Sequence, residues 1–209
     1  MKIDPDGLKF IAFPLGLGMI SIFFFWPLAV FFFVLAASTA FFFRQTVFGG
    51  EFPPNAIVSP ASGKIIDIRE VEESNFLASR ARKVSIFMSL LDEHINYAPV
   101  NGEVVHLHHR PGSFKRADSD EASDSNESQY IGLQAGEKRI LARQVAGTVA
   151  RRIVCRVRKG ERLLAGQKIG LIRFGSRVEL YLPLTVKLNA IVGDRVRGGM
   201  TVLGVLKNV

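Results

Sequence analysis

The sequence predicts a mainly β domain preceded by an apolar helical hairpin. Three observations lead there. Residues 10 to 43 carry no formal charge and are dominated by phenylalanine, with runs at Phe23–Phe25, Phe31–Phe33 and Phe41–Phe43. From about Ile57 onward, short alternating runs are punctuated by glycine, and no amphipathic helix of useful length interrupts them. Two internal echoes recur in that part. Pro60-Ala61-Ser62-Gly63-Lys64-Ile65-Ile66 matches Pro99-Val100-Asn101-Gly102-Glu103-Val104-Val105, and Gly160-Glu161-Arg162-Leu163 with Gly166 matches Gly193-Asp194-Arg195-Val196 with Gly199. Glycines six residues apart in both members of the second pair suit tight turns between short strands.

Charge narrows the partners. The chain has 27 Lys+Arg against 19 Asp+Glu, a net charge of +8, and the whole excess lies beyond the apolar N-terminal region. A basic body calls for an anionic partner. The apolar N-terminus favours an anionic membrane over nucleic acid. Arg151, Arg152, Arg156 and Arg158 are basic, but no aromatic platform accompanies them, so no nucleic-acid partner is expected. The single cysteine, Cys155, excludes an internal disulfide and reads as a packed, inert thiol in a strand.

The charge-free run of 34 residues is too long for one straight bilayer span of about 20 residues and is interrupted at Trp26-Pro27. Proline removes a donor and disfavours helix in the residue before it. Two short helices are therefore expected, about Leu8–Phe25 and Leu28–Phe43, forming a membrane-associating hairpin over residues 1–43. Lys2, Lys9 and Arg44 then lie on one side, which the positive-inside tendency makes cytoplasmic. The expected location is the cytoplasmic face of the cell membrane.

Residues 44–56, with Gly49, Gly50, Pro53 and Pro54, read as a linker, and the β-rich domain as residues 57–209. The paired echoes resemble the half-motifs of biotinyl/lipoyl-like folds, which implies a β-sandwich or barrel-sandwich hybrid. The polar stretch 111–130 reads as a solvated loop. Its spacing lacks the glycine and terminal glutamate of a calcium hand. Alternation places His106 and His108 on one face, without a partner acid or cysteine, so no metal site is expected.

An apolar run ending at Phe174 enters Gly175-Ser176, and the alternating Val178, Leu180 and Leu182 leave it. By itself a Gly-Ser pair between strands is an ordinary turn. The whole segment, Leu171-Ile172-Arg173-Phe174-Gly175-Ser176-Arg177-Val178-Glu179-Leu180-Tyr181-Leu182-Pro183, resembles the self-cleavage segment of phosphatidylserine decarboxylase proenzymes of the short form. Further matches follow in register. Phe87-Met88-Ser89, then His94, Asn96, Ala98 and Pro99, is similar to the motif that carries a catalytic histidine, and Asp92 stands two residues before that histidine, as in the family. Arg110-Pro111-Gly112-Ser113-Phe114 and Gln144-Val145-Ala146-Gly147-Thr148-Val149-Ala150-Arg151-Arg152-Ile153-Val154 also match. The resemblance covers nearly the whole chain.

The resemblance implies an enzyme. Ser176 would attack the carbonyl of Gly175, cut the chain into residues 1–175 and 176–209, and become a pyruvoyl group, the cofactor. His94 would handle protons beside Asp92. The substrate would be phosphatidylserine and the product phosphatidylethanolamine. The partners would be the lipid, the anionic membrane and the two chains of one precursor, with a homo-oligomer left open. The chain departs from the family pattern in several places. Ser62 stands where the family normally has the aspartate that orients self-cleavage, Tyr97 where the short form usually has arginine, and Glu121 where lysine is usual. Ser128 likewise replaces a usual arginine. The changes at Ser62, Glu121 and Ser128, which delete or reverse charge, support an alternative, an unprocessed relative acting as a membrane-bound lipid-binding module.

Overall fold

The computed structural model describes residues 2–45, 51–148, 152–173 and 176–206. The chain divides into two compact units, Met1–Val47 and Phe48–Val209.

The first unit is a helical hairpin. Helix α1 spans Pro5–Ser21 and α2 spans Trp26–Phe42, so the helices begin and end earlier than the sequence suggested. Capping explains the first start. Asp4 accepts the Asp6 amide at 3.0 Å and Pro5 fills the first turn, where a missing N–H costs nothing. The same logic moves the joint. Pro27 does not break a helix but initiates α2, and the chain turns at residues 22–25. Strands β1 (Lys2–Ile3) and β2 (Arg44–Gln45) pair antiparallel and join the two ends of the hairpin. Gly7 and Gly18 permit the close approach, since a Cβ there would lie 2.5 Å from Phe43 and 2.9 Å from Phe33. The outer surface stays apolar, with Phe13, Phe23, Phe24 and Trp26 exposed. Among the described residues, no helix is long and apolar enough to cross a membrane.

The second unit is mainly β. Its strands are β3 (Ala56–Val58), β4 (Gly63–Glu73), β5 (Ser79–Met88), β6 (Ile95–Tyr97), β7 (Gly102–Arg110), β8 (Ser128–Ala135), β9 (Lys138–Ala146), β10 (Ile153–Cys155), β11 (Arg162–Leu163), β12 (Lys168–Ile172), β13 (Ser176–Pro183), β14 (Lys187–Leu188), β15 (Arg195–Val196) and β16 (Val202–Val205). An eight-stranded antiparallel sheet runs β11-β7-β8-β9-β13-β5-β4-β15. Two three-stranded sheets, β10-β12-β6 and β14-β16-β3, accompany it. The large sheet buries the alternating side chains of Val84, Ile86, Ile131, Ile140, Val178 and Leu180 in the main core.

The internal echoes are a structural repeat. The first echo pairs with the second within each half. Arg195 lies opposite Lys64 and Val196 opposite Gly63; Arg162 lies opposite Glu103 and Leu163 opposite Gly102. The bonds beyond the pairs also correspond. Gly193 donates to Ile65 and Ile65 to Asp194, as Gly160 donates to Val104 and Val104 to Glu161. Gly193 and Gly160 adopt φ of +102° and +87°, which explains their recurrence, because side chains are strained there.

The stretch 111–130 corrects the solvated-loop expectation. It contains a short helix, α3 (Asp120–Ser125), and leads into β8. Ser123, Asn126 and Ser128 are buried. Asn126 donates to the main-chain carbonyl of Ala146 at 2.7 Å, which clamps the stretch to the end of β9. Serines and asparagines read as loop from composition, but here their polar groups bond to a strand end and to charged side chains.

Candidate active site

Strand β13 is paired on both sides, to β5 and to β9, and Ser176 is its first residue. Ser176 lies opposite Met88 and Ala146 and is wholly buried. Its hydroxyl lies 3.4 Å from the Met88 sulfur, a weak acceptor. Strand alternation turns Ser176 and Val178 to the main core and Arg177 and Glu179 to the opposite face. Gly175 lies outside the described residues.

His94 is buried just before β6. Its carbonyl accepts the amide of Ile172, the last residue of β12, so the histidine stands beside the chain that leads to Ser176. Its Nδ1 lies 2.9 Å from the main-chain oxygen of Asp92. A carbonyl can only accept, so a neutral imidazole bonded this way carries its hydrogen on Nδ1 and its basic lone pair on Nε2.

Asp92 meets His94 through that carbonyl, while its carboxylate turns elsewhere. Its carboxylate Oδ2 accepts from the Ser89 amide at 2.9 Å and hydroxyl at 2.7 Å, and Oδ1 lies 3.3 Å from Arg195 Nη1. The next residue, Glu93, is buried and accepts a hydrogen bond from the Tyr97 hydroxyl. The Tyr97 ring packs where Gly198 and Gly199 lack side chains. Ser62 lies in the same neighbourhood and accepts the Gly198 amide at 2.9 Å.

Two groups of residues around Ser176 were given no role by sequence reasoning. The first is a pair of buried amides. Gln144 Nε2 donates to Asn96 Oδ1 at 2.7 Å, tying β9 of the large sheet to β6, and Asn96 Nδ2 lies 3.7 Å from the Met88 sulfur that also faces Ser176. Gln144 Oε1 is buried without a hydrogen-bond partner among the described residues. The available signal was a glutamine at a core-facing position of an alternating strand.

The second group is a charged cluster behind β13. Glu179 lies 3.2 Å from Arg143 and 3.2 Å from Arg177, and Ser123 and Tyr181 donate to it at 2.5 Å and 2.8 Å. Burial opposes ionisation of Glu179, but the two guanidiniums and the Ser123 hydroxyl outweigh it and hold the carboxyl below the usual range. Burial pushes Lys83 below its ordinary value, with Glu179 partly offsetting it. Alternation alone would turn Arg177 and Glu179 to a solvent face. They are buried because α3 and its flanks cover them.

Elsewhere, His106 stacks on Phe76 with centroids 5.3 Å apart, and His108 lies on the same face of β7, 6.4 Å from His106. Burial pushes the Cys155 thiol up, as suits a packed residue.

Comparison with known proteins places the chain in one family. The sequence pattern of phosphatidylserine decarboxylase matches residues 39–204. A phosphatidylserine decarboxylase proenzyme of Desulfotalea psychrophila is 42% identical over 206 residues, covering 98% of this chain and 96% of the relative. Its namesake in Magnetococcus marinus is 39% identical over 209 residues, covering 98% and 95%. That of Carboxydothermus hydrogenoformans is 43% identical over 184 residues, covering 88% and 86%.

Proposed function

The chain belongs to the phosphatidylserine decarboxylase family, and from that premise we propose that it cuts itself between Gly175 and Ser176 and then converts phosphatidylserine to phosphatidylethanolamine. The observation that carries the reading is the placement of Ser176. A serine at the head of a doubly paired central strand, wholly buried, has its hydroxyl confined to few positions.

The hydroxyl of Ser176 attacks the carbonyl of Gly175 and gives up its proton as the C–N bond between the two residues breaks and an ester replaces the amide. Elimination of the ester carboxylate, followed by hydrolysis that releases the serine nitrogen as ammonia, would leave the pyruvoyl group. His94 is the base, through Nε2, because Nδ1 is oriented by the Asp92 carbonyl. The pyruvoyl group that Ser176 would yield fits the site. A small carbonyl group needs no more room than the serine side chain, and its neighbours Met88 and Ala146 are apolar. Such a group supplies an electron sink when carbon dioxide leaves. Met88 and Ala146 would flank it, and Asn96 and Gln144 adjoin it through the Met88 sulfur.

The hairpin of the first unit would hold the protein on the cytoplasmic face of the cell membrane. The exposed phenylalanines supply apolar contact, and Lys2, Lys9 and Arg44 supply charge toward anionic headgroups.

Intact mass of the purified protein tests the cleavage. The expected products are residues 1–175 and a small chain, 176–209, that resists Edman sequencing because a pyruvoyl group has no amine. A single uncut 23.1 kDa species after long incubation at neutral pH overturns the enzyme reading. It would favour instead a membrane-bound lipid-binding module, the reading that the uncharged Ser62 supports.

A further inference from the structure

Two turns of the second unit expose large aliphatic side chains beside the candidate site. Ser89–Asp92 presents Leu90 and Leu91, 53% and 73% exposed, and the turn 191–194 presents Ile191 and Val192, 66% and 55% exposed. Both are built alike. In each the fourth residue's amide returns to the first residue's carbonyl, and its carboxylate accepts the first residue's amide. Arg195 Nη1 bridges the two turns, 3.3 Å from Asp92 Oδ1. The first turn leads directly to His94, whose Nδ1 meets the Asp92 carbonyl.

The repeat supplies an internal control. The turn 158–161 is the counterpart of 191–194 in the other half. Glu161 closes it as Asp194 closes its equivalent, by accepting the Arg158 amide at 3.0 Å. There the residues corresponding to Ile191 and Val192 are Arg158 and Lys159. The turn therefore needs its closing acid and its glycine, and is indifferent to apolar tips. Single exposed aliphatics are ordinary, but four on two bridged turns mark an interaction surface.

We propose that Leu90, Leu91, Ile191 and Val192 form a lip that dips into an anionic lipid bilayer and brings the second unit's site to the membrane surface. Charge selects this occupant. Lys64, Arg195 and Arg197 are exposed around the lip, where they would meet anionic headgroups while the aliphatic tips enter the acyl boundary. The inference deepens the proposed function, because a lipid substrate has to leave the bilayer at the site. It is separate from the hairpin, which would attach the chain whether or not the second unit touches the membrane.

The test uses the full chain with Cys155→Ser and a single bimane label at Leu91→Cys, Val192→Cys or, as control, Lys159→Cys. Vesicles of phosphatidylcholine with phosphatidylserine are added. Co-sedimentation reports attachment, and a gel of the same sample reports self-cleavage. The lip gives a blue shift and loss of iodide quenching at positions 91 and 192, and neither at 159. Co-sedimentation without a shift at both positions overturns it, as does failure to co-sediment or an equal shift at 159. A shift that grows with protein concentration in the absence of vesicles assigns the turns to a second copy of the chain and also overturns it. None of these readings depends on whether the chain is cut, so failed cleavage and a failed lip are distinguishable.

Discussion

The hydroxyl of Ser62 accepts the amide of Gly198 at 2.9 Å, and its counterpart in the other half, Asn101, accepts the amide of Ala165 at 2.8 Å. Position 62 thus has a structural duty, to satisfy a backbone donor at a turn between paired strands. Serine and asparagine do this without charge, and an aspartate would do it with charge to spare.

That duty separates two substitutions. Ser62→Ala leaves the Gly198 amide unpaired and is expected to cost about 1–2 kcal/mol of stability in denaturant melts. Ser62→Asp keeps the bond and adds a carboxylate that steadies a cationic base. It is expected to raise the self-cleavage rate by on the order of 10–100-fold, read as fraction cut against time on a denaturing gel. Equal rates in wild type and Ser62→Asp would show that position 62 is not short of an acid.

His94 is expected to act through its ring, since the Asp92 contact is to a main-chain oxygen. His94→Gln should slow self-cleavage by about 10²–10⁴-fold. Asp92→Asn should slow it far less, because the carbonyl that orients Nδ1 remains. A large loss in Asp92→Asn would place the carboxylate itself in the proton path. Ser176→Ala removes the nucleophile and should abolish cleavage in any background.

Glu179 balances two buried guanidiniums, so removing its charge leaves Arg143 and Arg177 uncompensated. Glu179→Gln is expected to destabilise the second unit by about 3 kcal/mol in urea unfolding of Ser176→Ala chains. The sign of the pH effect follows from the depressed folded-state value. The unfolded carboxyl binds protons first, so the contribution is present above the ordinary value of 4.5 and is lost as pH falls through the lower folded one. Wild type should therefore lose more stability than Glu179→Gln on acidification below that value.

Lys168 has the opposite cost. Burial lowers its folded value to about 8 from 10.5. Between those values the unfolded chain binds more protons, so this residue's contribution to stability rises with pH and its penalty is full below about 8. Lys168→Met should be more stable than wild type at pH 7 by about 1 kcal/mol, a figure discounted for partial solvent screening. The advantage should vanish above pH 10.5. A constant difference across that range would rule out the titration.

The sequence by itself determined the class of the fold and its repeat. Alternation and recurring glycines are local signals, because a strand's period and a turn's positive φ are properties of a few neighbouring residues. The hairpin was legible for the same reason, although capping by Asp4 and Pro5 and initiation at Pro27 moved its boundaries. Ser176 and His94 were singled out by resemblance to a family, since a Gly-Ser pair and a loop histidine are ordinary by themselves. Only the tertiary structure decided which polar residues are buried. Arg177 and Glu179 alternate like a solvent face until α3 packs over them. Gln144 and Asn96, 48 positions apart, become one buried amide pair only when the small sheet meets the large one. The desolvation that makes such groups matter depends on what covers them, and in this chain the cover comes from distant segments that no local pattern specifies.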